Sequence, residues 1–117
     1  MIQHVTLEVT QDQIDPCLAF YTLLGFRRIE PPPALADRTA WLERGPTQLH
    51  LMVKEDAPQD RPGHFAVVAN DHEATLQSLR EAGHEPDPRD EHWGSPRAFV
   101  MDPAGNRVEV MAFAPSS

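Results

Sequence analysis

The feature that most restricts this chain is that it says nearly the same thing twice, and a repeat of this length decides the architecture before any single residue does. Gln3-His4-Val5-Thr6-Leu7-Glu8-Val9 is answered by Gly63-His64-Phe65-Ala66-Val67-Val68-Ala69, so that a histidine opens an alternating segment at an offset of 60 residues. Each segment runs into a helical stretch that ends in glycine, Asp15 to Gly25 and then Asp71 to Gly83, at an offset of 58. Each half closes on a hairpin pattern, Trp41 to His50 and then Val100 to Glu109, at an offset of 59. Three landmarks that agree this closely mark two copies of one unit, roughly 1–56 and 62–115, joined by a linker over 57–63 within a single domain of 117 residues.

Local chemistry gives the unit its elements. Val5, Leu7 and Val9 alternate with His4, Thr6 and Glu8, which is the period of a half-buried strand. Asp12 or Asp15 is the expected cap of the first helix, with Pro16 in its first turn, Leu18, Phe20, Tyr21 and Leu24 inward, and Gly25 as its stop. Asn70 or Asp71 caps the second, whose Leu76 and Leu79 face the core and which Gly83 ends. Asp102-Pro103-Ala104-Gly105 reads as a turn, because proline presets its φ and glycine tolerates a positive one. The unit is thus strand, helix, then a meander of about three strands. The expected fold is α+β: two βαβββ repeats forming a cupped, partly open mixed sheet barrel with helices outside.

Alternation also fixes facing. If Val5 and Leu7 lie under the helix, His4 points to the opposite face. The same argument sets His50 against Leu49 and Leu51, His64 against Phe65 and Val67, and Glu109 against Val108 and Val110. Any one such histidine is ordinarily a solvated or hydrogen-bonded residue, and a strand glutamate is ordinary too. All four, however, fall at equivalent places in the two copies, on the first and last strands. Imidazole nitrogens with one carboxylate suit Fe(II), Mn, Co, Ni or Zn better than Ca or Mg. A hairpin symmetric about Ala104 places Phe99 opposite Glu109 and Arg97 opposite Met111, with Trp41 beside His50 in the first copy. These are candidate pocket walls, or plain core. Trp93 falls in a loop and could form a lid. His72, His84 and His92 are expected to be solvated, and Cys17 to be a buried small apolar residue.

Bulk composition excludes more than it assigns. Net charge is −8, from 10 basic against 18 acidic residues with the basic ones scattered, which argues against nucleic acid and anionic membranes as partners. No apolar run approaches the ~20 residues that span a bilayer. The start of the chain lacks the pattern of a signal peptide, and the one cysteine rules out an internal disulfide, so a cytoplasmic location is expected.

The repeated unit, the early His4, the helix end Phe20-Tyr21-x-x-Leu24-Gly25-Phe26 and the closing Asp102-Pro103-x-Gly105-Asn106-Arg107-Val108-Glu109 together resemble the vicinal-oxygen-chelate superfamily, which holds glyoxalases, bleomycin-resistance proteins and extradiol dioxygenases. The resemblance covers essentially the whole chain. It implies a divalent transition metal (Ni, Zn, Mn, Co or Fe) held by the first and fourth strands of each unit, here His4, His50, His64 and Glu109. His50 departs from the common pattern, and the resulting set of three imidazoles and one carboxylate would leave roughly +1 at the site, favouring an anionic oxygen ligand. In the glyoxalase-like branch a metal-bound glutamate also moves the proton, and Glu109 matches that position. The branch's first-strand arginine, which holds the glutathione carboxylate, is replaced here by Glu8. Three functions remain open on this reading. The first is a metal-dependent glyoxalase-like lyase or isomerase acting on a small substrate through vicinal oxygens, with Trp41, Trp93, Arg97 and Phe99 lining the pocket. The others are an extradiol-type dioxygenase and a metal-free drug binder, since Trp93-Gly94-x-x-Arg97-x-Phe99 also resembles bleomycin-resistance proteins. A homodimer is expected because small cupped sheets leave open edges.

Overall fold

The computed structural model describes residues 2–58 and 63–115, and the chain divides into two units, Met1–Gln59 and Asp60–Ser117. Part of the segment expected to link the copies, residues 59–62, lies outside the described residues. The first unit runs β1 (His4–Val9), α1 (Ile14–Leu23), β2 (Arg27–Ile29), β3 (Thr39–Arg44) and β4 (Thr47–Val53). The second runs β5 (His64–Val68), α2 (His72–Glu81), β6 (Asp87–Arg89), β7 (Arg97–Met101) and β8 (Arg107–Met111). Each is the expected βαβββ unit, and among the described residues short 3-10 turns, at Gln11–Gln13 and Pro33–Leu35, occur in the first alone.

Each unit folds one open four-stranded mixed sheet, in the order β1-β4-β3-β2 and β5-β8-β7-β6. The first and last strands of a unit pair in parallel, with the first at the sheet's edge, and the meander strands pair antiparallel. Both helices end in the same way. Gly25, at φ +92°, donates to the Thr22 carbonyl while Phe26 reaches back to Tyr21. Gly83, at φ +93°, donates to Arg80 while His84 reaches back to Leu79. This paired bond pattern satisfies the last carbonyls of a helix, and it needs a residue free of Cβ strain at the left-handed position. The two turns therefore return the chain to its sheet by the same geometry.

The sheets are two-faced. Leu42 pairs with Leu49, Ala40 with Leu51, Val100 with Val108 and Ala98 with Val110, and all eight are buried. With Phe20 and Tyr21 of α1, or Leu76 and Leu79 of α2, these side chains make the core of each unit. Alternation then commits the neighbours of these strand residues to the other face.

Two expectations are corrected. Neither Asp12 nor Asp15 caps α1, which has no side-chain cap and runs on from the 3-10 turn Gln11–Gln13; at the start of that turn the Thr10 amide donates to Gln13 Oε1 at 2.8 Å and the Thr10 hydroxyl to Asp12 Oδ1 at 2.5 Å. Asp15 falls one residue inside the helix. Asp71 does cap α2, accepting from the Ala74 amide at 3.1 Å. His72 is not solvated but buried, with Nε2 3.2 Å from the Val110 carbonyl. Its place at the first position of α2 turns it toward β8 rather than outward.

The hairpin joining β7 to β8 is built on one buried carboxylate. Asp102 Oδ1 accepts from the amides of Ala104 and Asn106, both at 2.8 Å, and Oδ2 accepts from the Asn106 side-chain amide at 2.9 Å. Hydrogen bonds to a buried charged group contribute about 1.5–3 kcal/mol each, so Asp102→Ala should cost about 3 kcal/mol or more in urea unfolding. Asp102→Asn, which keeps one acceptor, should cost less. Equal stability of wild type and Asp102→Ala would show that the turn does not depend on the carboxylate.

Candidate functional site

The register of the two sheets sets equivalent residues at equivalent crossings. In the first unit Thr6, His50 and Trp41 lie side by side on β1, β4 and β3. In the second, Ala66, Glu109 and Phe99 do so on β5, β8 and β7, and Arg97 pairs with Met111 as a hairpin symmetric about Ala104 requires. All of them lie on the face away from the leucine and valine core.

On the first sheet three rings stack. Trp41 and His50 lie 3.7 Å apart between centroids and 4° from parallel, and His4 lies on the other side of His50 at 4.3 Å and 17°. His50 is buried and its Nε2 is 2.9 Å from Gln48 Oε1, while His4 Nδ1 is 2.7 Å from Gln3 Oε1. Burial, and then the neighbouring charge of His4, lower the pKa of His50 below the usual imidazole value. The ring is therefore neutral near pH 7, the form in which imidazole acts as a metal ligand.

On the second sheet the centre is Glu109, 6% exposed. Its Oε1 is 3.2 Å from His64 Nε2, and its Oε2 lies 3.6 Å from Arg97 Nη1, too far for a hydrogen bond. Among the described residues Oε2 is a buried acceptor without a hydrogen-bond partner. Such an atom is costly unless something else uses it, because a buried carboxylate oxygen has given up its water. His64 meets Phe99 edge to face at 4.8 Å. Arg97 is pinned by its Nε bond to the Asp90 carbonyl at 2.8 Å, and its guanidinium lies 5.9 Å from the Trp93 ring and 5.7 Å from that of Phe99. Trp93 is tied to the Phe113 carbonyl at 3.2 Å.

The structure thus brings His4 to His50 with Trp41, and His64 to Glu109 with Arg97 and Phe99. Trp93 joins the second group through Arg97. Within neither unit do the described residues gather three or more His, Cys, Asp or Glu side chains in a metal-holding cluster, so each unit offers two donors. The donor chemistry fits a zinc-like or iron-like ion: neutral imidazole in one pair, imidazole with a carboxylate oxygen left open in the other. Sequence reading missed two further arginines. Arg89 and Arg107 lie 5.3 and 5.6 Å from the same Phe99 ring. The signal was the strand register, since Arg89 pairs with Arg97 on the face that carries Phe99.

The chain matches the family model of the Glyoxalase/Bleomycin resistance protein/Dioxygenase superfamily over residues 1–110. Among solved structures, a Bacillus anthracis protein assigned to the glyoxalase family superposes with a TM-score of 0.85 at 26% identity, covering 95% of this chain and 93% of that one. Lactoylglutathione lyase from Agrobacterium tumefaciens (TM-score 0.71, 20% identity, 95% and 92% covered) shares the fold. So does a bleomycin resistance determinant encoded on the transposon Tn5 (0.66, 18%, 92% and 94%). No curated protein is significantly similar in sequence. Among the described residues no helix is long and apolar enough to cross a membrane.

The lowered pKa of His50 has a definite sign for stability. The unfolded chain takes up this proton at the usual value near 6.5 and the folded chain at a lower one, so folding weakens as pH falls through that window. In metal-free protein the His50 ring should titrate below 6.5 by NMR, and His50→Gln should remove that part of the pH dependence of unfolding. A midpoint above 6.5 would contradict the burial argument.

Proposed function

Because the chain belongs to the Glyoxalase/Bleomycin resistance protein/Dioxygenase superfamily, we propose that it is a divalent-metal-dependent enzyme of the glyoxalase-like lyase or isomerase type. Its substrate is a small molecule engaged through two neighbouring oxygens. His4, His50, His64 and Glu109 are the proposed ligands of a transition metal such as Ni, Zn, Mn, Co or Fe. In the family the units pair within a chain or across two chains, and either arrangement completes the set. Lewis-acid stabilisation of negative charge on a substrate oxygen is what such an ion supplies when bound.

The observation that carries this reading is the pairing within each unit. His4 meets His50, and His64 meets Glu109, on the non-core face at equivalent positions of the repeat. Glu109 holds a carboxylate oxygen with no hydrogen-bond partner among the described residues, which is the form a ligand or proton carrier takes. Glu109 is the proposed catalytic base, with His64 and Arg97 positioning it. Trp41, Trp93, Arg97 and Phe99 are the proposed walls of the substrate pocket.

A second reading, sequestration of a planar molecule without metal, is favoured by the continuous ring stack of Trp41, His50 and His4. It predicts an aromatic ligand stacked on that wall and no need for Glu109. We also propose a homodimer, since β1 and β2 end one sheet and β5 and β6 the other. Light scattering at micromolar concentration should give twice the chain mass.

Elemental analysis of protein purified without a metal-binding tag separates the two functions. The metal reading expects near-stoichiometric transition metal that His64→Ala lowers several-fold and His92→Ala, at an exposed loop position, leaves unchanged. Equal loss from both variants, or from neither, would show that these are the wrong ligands.

A further inference from the structure

Three guanidinium groups surround one ring on the second unit's sheet. Arg89, Arg97 and Arg107 come from β6, β7 and β8, and each lies within 5.7 Å of the Phe99 centroid. All three are within cation–π range, which holds them in place but does not neutralise them. Two have further fixed partners. Arg89 Nη1 binds Asp87 Oδ2 at 3.0 Å, and Arg97 is held by the Asp90 carbonyl and lies beside Glu109. The Arg107 side chain has no hydrogen bond or ion pair among the described residues. Its donors, in a planar fork suited to a carboxylate, are unspent.

A cavity of about 200 Å³ opens at this point, lined by Arg89 and Arg107, by Glu85 and Asp87, and by Phe99 and Met101. We propose that Arg107, aided by Arg89 and seated against the Phe99 ring, binds the carboxylate group of a small organic monoanion in this cavity. The two acidic walls decide the charge of the ligand. Asp87 is already spent on Arg89, while Glu85 repels a second negative charge, so a carboxylate suits the cavity better than a doubly charged phosphate. A cation would face the arginines. Arg107 stands two residues before Glu109 on β8, about 7 Å along the strand. If this face is the substrate's, as the proposed function has it, the substrate carries its carboxylate about that far from the oxygens that react.

Calorimetric titration of the full-length chain, stripped of metal with a chelator, tests this with benzoate, inorganic phosphate and benzamidinium as probes. Benzoate should bind saturably, and at least ~10-fold more tightly than either of the others. Arg107→Gln should weaken benzoate at least ~10-fold, as expected on losing a charge-assisted bidentate contact, while Arg28→Gln on the exposed β2 leaves it unchanged. Arg89→Gln, on an exposed strand, gives a second readout and should weaken benzoate about three-fold. Absence of saturable binding, tighter phosphate or benzamidinium, or benzoate binding indifferent to Arg107→Gln and Arg89→Gln would each overturn the site. Stripping keeps the two readings apart. Benzoate affinity that Arg107→Gln abolishes in stripped protein stands whatever the metal analysis gives. Affinity that appears only in metal-loaded protein and ignores Arg107 overturns the carboxylate site and leaves the metal reading intact.

Discussion

The second unit's candidate site depends on how one carboxylate, that of Asp102, ties its turn. By collecting the amides of Ala104 and Asn106 and the side chain of Asn106, it closes a five-residue loop at a fixed length. That length puts Met101 opposite Arg107, and hence Phe99 opposite Glu109. A slip of one residue would send every side chain of β8 to the opposite face. Glu109 would then enter the valine core and Val108 and Val110 would leave it. The chemistry of the polar face and the packing of the apolar one are therefore set by the same turn, and neither can be altered alone.

Much of this was legible in the sequence because it rests on local rules. The Asp102-Pro103-Ala104-Gly105 turn, the glycines that stop the helices and the two-residue alternation of the strands are short-range effects. Together they fixed which residues share a face and which stand opposite one another. What escaped was long-range. Arg89 and Arg107 are 18 residues apart and look like scattered charge until β6, β7 and β8 are aligned side by side. The burial of His72 could not be read either. It depends on the Val110 carbonyl, 38 residues on, being within reach of the first turn of α2. The start of α1 departs from the aspartate cap because the chain enters it through the 3-10 turn Gln11–Gln13, which Thr10 and Gln13 tie through the Thr10 backbone amide.

The charge of the whole does not describe the arrangement of charge at the site, and the local arrangement governs a ligand. A chain of net charge −8 presents, around Phe99, three guanidiniums with a free fork at Arg107. Solvent and salt screen the distant acidic residues over about 8–10 Å, whereas groups that share a cavity are screened much less. The first sheet makes the complementary choice. It keeps His50 neutral between two rings, so the two halves of one repeat have diverged from a common frame into an aromatic wall and a charged one.

The central claim is that two donor pairs, one from each copy, serve one metal. Diffraction from crystals grown with cobalt or nickel, recorded on both sides of that metal's absorption edge, tests it most directly. The account predicts one anomalous peak for each set of His4, His50, His64 and Glu109, with all four donor atoms within about 2.0–2.3 Å of it. A peak bound by other residues, or separate peaks at the His4–His50 pair and the His64–Glu109 pair, would contradict it.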